Sequence, residues 1–162
     1  MVLVVSDIHG SRRGLELVEN AISRLRPEMV LSAGDQCPDT CRSDFYSQLV
    51  SVRGNCDRFY DYDNLPFPPL SREERIYGRR IVMTHGDRLW IDDFDLGKGD
   101  IFISGHTHVP ELYQDREGRF LLNPGSPSRP RSSSGPTAAS LSPEGLEVFS
   151  LITFKPLLSL AF

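Results

Sequence analysis

A series of short apolar runs, each stopping abruptly at a polar motif, is the feature that most constrains this chain. Residues 1–6 run into Asp7 and His9, and residues 29–33 run into Asp35. Further runs end at Asn55, at His85, and at His106 with His108. Apolar runs of this length without alternation are typical of strands buried on both faces. The pattern therefore predicts a buried sheet whose loops carry the chemistry.

The segment between the first two runs has the periodicity of a helix. From Arg12 to Arg26 the apolar residues recur at helical intervals, with Ser11 as a candidate N-cap and Pro27 just beyond the end. Strand, helix and strand in this order predict a right-handed crossover between two parallel strands. Because the carboxyl ends of parallel strands lie at one edge of a sheet, the polar motifs are expected to meet there.

The rest of the chain is predicted to be largely β. Its expected pieces are a short helix over 45–49, strands over 50–53 and 101–104, a proline-rich crossing loop over 64–70, and hairpins that pair 75–77 with 80–84, 111–114 with 120–122, and 138–141 with 146–154. Ser126–Pro136 is rich in Ser, Pro and Gly and is predicted to be an extended loop. The apolar tail, residues 156–162, is expected to be covered by the core or by a second copy of the chain, so a homodimer is possible.

Composition limits the class of protein. A chain of 162 residues predicts a single domain over 1–162, and a net charge of −4 argues against general nucleic-acid binding. No apolar run reaches the ~18 residues of a membrane span, and the first residues lack the features of a signal peptide. Cys37, Cys41 and Cys56 are an odd number without disulfide-framework spacing, which favours a reducing compartment. We expect a cytoplasmic protein, with a Cys37–Cys41 disulfide as the minor alternative.

All four histidines of the chain, His9, His85, His106 and His108, fall within the strand-end motifs. Alternate residues of an extended segment project to the same side, so Asp7 with His9, and His106 with His108, are expected to face a common centre. Seven candidate ligands exceed the about four to six that one first-row ion takes, and they suit two ions if a carboxylate bridges. Nitrogen and oxygen ligands without thiolate suit two divalent transition-metal ions, and the ligand types leave Mn²⁺, Ni²⁺, Fe²⁺, Co²⁺ and Zn²⁺ all open.

The order of these motifs resembles a known family, the calcineurin-like metallophosphoesterases. The motifs that carry the resemblance are Asp7-Ile8-His9, Gly34-Asp35, Gly54-Asn55-Cys56-Asp57, Thr84-His85-Gly86 and Gly105-His106-Thr107-His108. Asn123-Pro124-Gly125-Ser126 after a strand is similar to the small YfcE-like phosphodiesterase branch. The resemblance implies an α/β fold, a four-layer α/β/β/α sandwich of two mixed sheets.

The resemblance also implies roles for individual residues. One metal ion would be held by Asp7, His9, Asp35 and His108, and the other by Asp35, Asn55, His85 and His106, with Asp35 bridging. The implied reaction is hydrolysis of a small phosphodiester by direct attack of a metal-bridging hydroxide, with Asp35 and Asn55 as the catalytic residues.

Two positions depart from the larger relatives. Cys56 stands where many of them have a histidine that protonates the leaving group, which favours diesters or good leaving groups as substrates. Asp87 stands where a second histidine is common, and it is a candidate for orienting a ligand. Asp57 is expected to shape a turn rather than to act as an acid. Cys56 and Arg58 are the candidate substrate-binding residues.

Other functions stay open from the sequence. A nuclease or cyclic-nucleotide hydrolase would need a basic, aromatic-lined groove, and Arg129, Arg131, Tyr60 and Tyr62 are too few to establish one. The arginines could grip a phosphate bidentately or simply be solvated. A different class is a protein-binding scaffold similar to the retromer subunit Vps29, which resembles this fold but has a degraded metal site.

Overall fold

The computed structural model of the protein describes residues 1–38 and 43–162, without the side chain of Ser43. Its helices and strands are β1 Val2–Val5, α1 Arg12–Leu25, β2 Met29–Ser32, α2 Ser43–Ser47, β3 Leu49–Ser51, β4 Ser71–Ile76, β5 Arg79–Thr84, β6 Ile101–Ile103, β7 Glu111–Gln114, β8 Phe120–Asn123, β9 Thr137–Ser142, β10 Gly145–Ser150 and β11 Pro156–Ala161. Two 3-10 turns, Phe59–Tyr62 and Ile91–Asp93, lie in the connections.

The strands form two mixed sheets. The first has the order β11-β10-β9-β1-β2-β3, in which β1, β2 and β3 are parallel and β9, β10 and β11 are antiparallel. The second has the order β4-β5-β6-β8-β7, with β5, β6 and β8 parallel. The predicted sandwich of two mixed sheets and the parallel β1–β2 pair are both confirmed.

The first strand is buried on both faces, as its continuous apolar run predicted. Val2 and Val4 belong to the core between the two sheets, and Leu3 and Val5 to the core beneath α1. The outer face of the second sheet is covered differently, by the segment 91–96, which contains a 3-10 turn and the buried Leu96. In this chain the outer layer on that side is thus an irregular segment rather than a long helix.

The helix α1 matches its predicted bounds to within one residue. The Ser11 hydroxyl accepts the Gly14 N–H at 3.2 Å, which confirms the predicted N-cap. At the other end, Arg26 adopts a left-handed φ of 48° and its N–H bonds to the Ile22 carbonyl. The cap lies directly after the Asp7–Gly10 loop, so the packed helix fixes one end of that loop.

The C-terminal part differs from the prediction. The predicted strand to Phe154 is wrong: β10 ends at Ser150, whose hydroxyl accepts the N–H groups of Ile152 and Thr153 and turns the chain. The tail then returns as β11 beside β10. Leu160 and Phe162 pack against the core, whereas Leu157 and Leu158 stay 41% and 37% exposed. The core therefore covers the tail only in part, and the homodimer stays a prediction.

Several smaller expectations are met. Residues 64–70 cross between the sheets without joining either, and Ser126–Pro136 is an extended loop. Cys37 and Cys56 form no disulfide with each other. Cys41 lies outside the described residues, so the alternative Cys37–Cys41 disulfide stays untested. Among the described helices, none is long and apolar enough to cross a membrane.

Candidate metal centre

The seven predicted ligands come together beyond the carboxyl ends of five strands. Asp7 follows β1, Asp35 follows β2, and His85 comes directly after β5. Asn55 lies in the loop after β3, and His106 and His108 lie in the loop after β6. Asp7, Asp35, His85 and His108 are buried, His9 and His106 are half-buried, and Asn55 is exposed. The set therefore reaches from the interior to the surface.

Three ligand atoms converge on one side of the centre. The Nε2 atoms of His9 and His108 are 3.1 Å apart. Asp7 Oδ1 lies 3.1 Å from His108 Nε2 and 3.5 Å from His9 Nε2. These residues are the predicted ligands of the first ion, together with Asp35.

Asp35 lies between this cluster and the second one. Its Oδ2 is 3.7 Å from His9 Nε2 and 3.4 Å from His85 Nε2. Its Oδ1 accepts the Cys56 N–H at 2.7 Å, which leaves Oδ2 to face both sides. On the far side, the His85 and His106 rings are 5.2 Å apart, and His106 Nδ1 is 3.0 Å from Asn55 Oδ1. One carboxylate oxygen is thus placed where a bridging ligand is needed.

Backbone carbonyls orient two of the imidazoles. His85 Nδ1 donates to the Ala33 carbonyl at 2.7 Å, and His108 Nδ1 donates to the Arg129 carbonyl at 2.8 Å. Because a carbonyl only accepts, each neutral ring presents the lone pair of Nε2 to the centre. His85 Nε2 and Asp7 Oδ1 are buried, and their only polar neighbours among the described residues are other members of the ligand set. Buried lone pairs of this kind fit a cation, so the residues present suit the metal ions that the resemblance implies.

The ionisable groups of the centre shift one another's pKa values. Burial raises the pKa of Asp7, but hydrogen bonds from His108 and His9 outweigh it and hold that pKa well below its ordinary value. Burial opposes protonation of His85, yet the hydrogen bond to Asp35 and the charges of Asp7 and Asp35 raise its pKa to about 9. The same negative field that holds a proton on His85 attracts a divalent cation in its place.

The backbone of the ligand loops is not extended, which corrects the reasoning from alternate residues. Asp7 and His9 have φ values of 57° and 52°, and His106 and His108 have 68° and 61°. Asp7 and His9 converge, with Oδ1 and Nε2 3.5 Å apart. His106 instead contacts Asn55, and His108 contacts His9. Left-handed turns rather than extended segments place all four side chains. The left-handed backbone conformation costs about 1–2 kcal/mol for each residue other than glycine. Contacts with the surrounding residues must therefore hold these four residues in it.

Asp57 supports the two loops that carry Asp35 and Asn55. Its carboxylate accepts N–H groups from Gly54, Asp35, Gln36 and Cys37 at 2.8 to 2.9 Å. The buried Tyr62 hydroxyl also donates to it at 2.9 Å. Burial raises the pKa of Asp57, and these donors oppose that shift. The expected turn-shaping role agrees with this geometry, although the sequence did not show that one side chain ties two ligand loops together.

The Asn123-Pro124-Gly125-Ser126 motif braces the opposite side. Asn123 Nδ2 donates to the Gly105 carbonyl at 2.7 Å and to Thr107 Oγ1 at 3.1 Å, which supports the loop of His106 and His108. The hydroxyls of Ser126 and Ser128 both donate to the Asp7 carbonyl, at 2.8 and 2.9 Å. Sequence reasoning quoted this motif but gave it no structural role. A polar motif directly after a predicted strand was the available signal.

Two motif glycines are required by close approach. A Cβ at Gly54 would lie 2.1 Å from Asp35 Oδ1, and a Cβ at Gly105 would lie 1.9 Å from Ser6 Oγ. Both are closer than real Cβ atoms come to other atoms. The glycines therefore let the ligand loops pack against the buried carboxylates.

The remaining predicted residues lie around the centre. The Cys56 Sγ lies within 4.8 Å of ligand atoms of His9 and Asp35. Burial and the hydrogen bond with Asp35 raise the pKa of this thiol to about 11, so it faces the centre protonated at neutral pH. Arg58 is exposed on the adjacent turn. Asp87, a candidate orienting residue, pairs with Arg88 at 3.3 Å instead.

Comparison with known families decides the assignment. The family model described as the calcineurin-like phosphoesterase superfamily domain matches residues 1–145. The chain belongs to this superfamily. Members named metallophosphoesterases are among its relatives: a probable metallophosphoesterase of Methanothermobacter thermautotrophicus is 34% identical over 142 residues, which cover 81% of this chain and 79% of that protein. The superfamily implies divalent metal ions and a hydrolytic activity on phosphoesters.

Two further proteins are similar to this chain. Phosphodiesterase YfcE of Escherichia coli is 27% identical over 169 aligned positions, covering 93% of this chain and 91% of YfcE. Its solved structure has a TM-score of 0.89 at 24% identity and covers 99% of this chain and 98% of that one. The structure of Vps29 from Entamoeba histolytica complexed with Zn²⁺ has a TM-score of 0.65 at 19% identity, covering 99% and 98%. The structural likenesses show the shared fold.

Proposed function

We propose that this chain is a metal-dependent phosphodiesterase that hydrolyses small phosphodiesters at a centre of two divalent ions. The observation that carries the proposal is the position of Asp35 Oδ2, 3.7 Å from His9 Nε2 in one cluster and 3.4 Å from His85 Nε2 in the other. Two ions sharing that oxygen would activate water for attack and would neutralise the phosphoryl oxygens. Mn²⁺ is the first candidate for both sites, and the similarity to YfcE supports the phosphodiesterase branch.

The protein's own residues then have separate tasks. Asp7, His9 and His108 would hold one ion, and Asn55, His85 and His106 the other. Asn55 lies at the exposed end of the set, where it would also meet the substrate. The Ala33 and Arg129 carbonyls keep the imidazole lone pairs aimed at the ions.

The centre offers no good acid to protonate the leaving group. All four histidines belong to the ligand set, so none is left to act as an acid. Cys56 faces the centre with a pKa raised to about 11, too high for it to give up a proton readily. This arrangement favours esters whose leaving group departs without protonation. We therefore expect activated diesters to react much faster than alkyl monoesters.

Hydrolysis of bis-(p-nitrophenyl) phosphate after dialysis and reloading with Mn²⁺ tests the proposal. Asp35→Asn and His85→Ala should lower kcat/KM by more than about 100-fold, since even partners that only orient metal ligands are worth about 10–100-fold. Glu147→Gln, on β10 in the antiparallel part of the first sheet, is the matched control and should retain full activity. Equal rates in all four proteins, or no metal-dependent rate in the wild type, would refute an enzymatic role.

The second candidate is a protein-binding scaffold, favoured by the shared fold of the Vps29 structures. Since one of those structures holds Zn²⁺, metal binding alone does not separate the two functions. Turnover does, because a scaffold needs none. The complete ligand set of this chain supports the enzyme.

A further inference from the structure

Two large side chains stand exposed on the turn that follows the Asn55 loop of the metal centre. Phe59 is 76% exposed and Tyr60 67%, and both lie on the 3-10 turn Phe59–Tyr62, which begins four residues after Asn55. They are the two most exposed of the large hydrophobic residues in the described part of the chain. Leaving aromatic rings in water forgoes the large stabilisation that their burial would give. Two exposed rings this close in sequence to the candidate ligands indicate a surface that a bound ligand would cover.

The turn is held firmly to the ligand loops. The buried Tyr62 hydroxyl donates to Asp57 Oδ1, the carboxylate that also accepts the Asp35 N–H. The Asp61 carboxylate accepts the Arg58 N–H at 3.3 Å and closes the turn. The turn that carries the exposed rings is therefore tied through Asp57 to the loop of Asp35.

An aromatic residue supports the turn from below. The Phe67 ring packs edge to face against Phe59 at 5.6 Å and against Tyr62 at 5.3 Å. The Arg53 guanidinium lies 4.9 Å from the centroid of Phe67 on the other side. With its neighbours fixed in this way, Phe59 offers a preformed surface, so binding a flat group there costs little ordering of the protein.

Cations accompany the rings. Arg58 Nη1 donates to the Tyr60 hydroxyl at 2.5 Å, and its guanidinium lies 5.7 Å from the centroid of that ring. Arg129 lies next to the metal centre, because its carbonyl accepts the His108 Nδ1–H at 2.8 Å. A ligand that complements this surface combines a negative charge with a flat ring.

We infer that Phe59 and Tyr60 form a stacking subsite for a planar aromatic group esterified to the substrate phosphate, with Arg58 contacting the anion. The inference rests on the proposed function and names its substrate class: phosphodiesters that carry an aryl group or a nucleobase. Aliphatic diesters would bind through the phosphate alone.

Calorimetric binding to the Mn²⁺-loaded protein tests the subsite without turnover. Phenyl phosphate is compared with methyl phosphate, and adenosine 5′-monophosphate with ribose 5-phosphate. Each pair shares a phosphate and differs in the ring. Stacking on an aromatic side chain should make the aromatic member of at least one pair bind about tenfold more tightly. The pair that shows the preference tells whether the natural group is an aryl group or a nucleobase.

Variants assign the preference to the turn. The double substitution Phe59→Ala with Tyr60→Ala should reduce it to less than about twofold, whereas Tyr60→Phe should retain most of it because the ring remains. Tyr113→Ala is the matched control, since Tyr113 is 48% exposed on β7 and lies outside the turn. Unchanged thermal unfolding of the double variant would show that its fold is intact. A preference absent in the wild type, or retained in the double variant, would overturn the inference.

Failure of the stacking subsite and failure of the proposed function would give different results. If the wild type fails to hydrolyse bis-(p-nitrophenyl) phosphate but binds the aromatic monoesters selectively through the turn, the enzyme proposal fails and the binding subsite stands. If hydrolysis occurs and the ring makes no difference, only the subsite is refuted.

Discussion

The parallel and the antiparallel half of the first sheet differ in what they contribute to the metal centre. The parallel half, β1, β2 and β3, sends every carboxyl end to one edge, where Asp7, Asp35 and Asn55 follow the strands. The antiparallel half, β9, β10 and β11, is joined by short turns and places none of the seven candidate ligands. It contributes buried apolar residues such as Leu141 and Val148 to the core. Parallel strands concentrate function, and antiparallel strands here supply stability.

The loops that gather the candidate ligands at one edge of the sheet contain most of the strained backbone of the described residues. Nine residues other than glycine have a left-handed φ among those that the structure describes, and six of them lie in the loops of the metal centre: Asp7, His9, Asp35, Cys37, His106 and His108. In the antiparallel half and its connections only Phe154 does so within the described residues. The ligand loops therefore depend on bracing contacts that the antiparallel half does not need.

The largest expected difference between the two halves is in the effect of removing a carboxylate, Asp57 from a ligand loop or Glu147 from the antiparallel half. Replacing it with alanine leaves four backbone N–H groups and the Tyr62 hydroxyl without their acceptor. We expect Asp57→Ala to lose about 3 kcal/mol or more of unfolding free energy, equivalent to roughly 6–12 °C in Tm, and to bind Mn²⁺ about 10–100-fold more weakly. Glu147→Ala, which removes a half-buried carboxylate that accepts the Ser159 hydroxyl in the antiparallel half, should change Tm by less than about 2 °C. Calorimetry on both proteins measures the two quantities, and similar losses would contradict the division between the halves.

Replacing one glycine of each half with alanine tests whether stability and metal binding can be separated. A Cβ at Gly54 would meet Asp35 Oδ1 at 2.1 Å, and a Cβ at Gly145 would meet the Leu160 carbonyl oxygen at 2.3 Å. Both substitutions should destabilise by about 1–3 kcal/mol, because a packed neighbour must shift. Only Gly54→Ala should also weaken Mn²⁺ binding, since its neighbour Asp35 is the proposed bridging ligand. Weaker Mn²⁺ binding in Gly145→Ala as well would show that the halves are coupled.

The smallest expected effect is a pH dependence of the metal-stripped protein. The pKa of His85 is raised from its ordinary value of 6.5 to about 9 in the fold, so the folded chain binds this proton more tightly than the unfolded chain. Its contribution to stability is complete below about pH 6.5 and disappears as the pH rises towards 9. We expect Tm to fall by several degrees over that range.

Two measurements accompany this pH series. In the His85→Ala variant, the decline in Tm between pH 6.5 and 9 should be absent. Saturating Mn²⁺ should also remove the decline in the wild type, because the cation replaces the proton on His85. A decline of the same size in the variant would show that another group is responsible.

The sequence predicted the fold elements with strong local signals. The helical spacing from Arg12 and the N-cap at Ser11 placed α1 to within a residue, and the uninterrupted run Val2–Val5 placed a strand with two buried faces. It also indicated which seven side chains meet, because strand order and parallel pairing bring them to one edge. These features depend on neighbours in sequence or on general topology.

What the sequence could not predict depends on contacts between distant segments. The left-handed backbone at Asp7 and His106 is held by groups far away in the chain, among them the bond from the His106 N–H to Asp7 Oδ2. The five donors that meet on Asp57 come from separate loops. Likewise β11 exists because Ser150 turns the chain back onto β10, a turn that no apolar pattern announces.

The most direct test of the central claim is the number of ions bound per chain. After dialysis against a chelator and titration with Mn²⁺, the wild type and Glu147→Gln should each bind two equivalents, and Asp35→Asn should bind at most one, because both ions share Asp35. A wild type that binds a single equivalent or none, or an Asp35→Asn protein that still binds two with undiminished affinity, would contradict a centre bridged by this carboxylate.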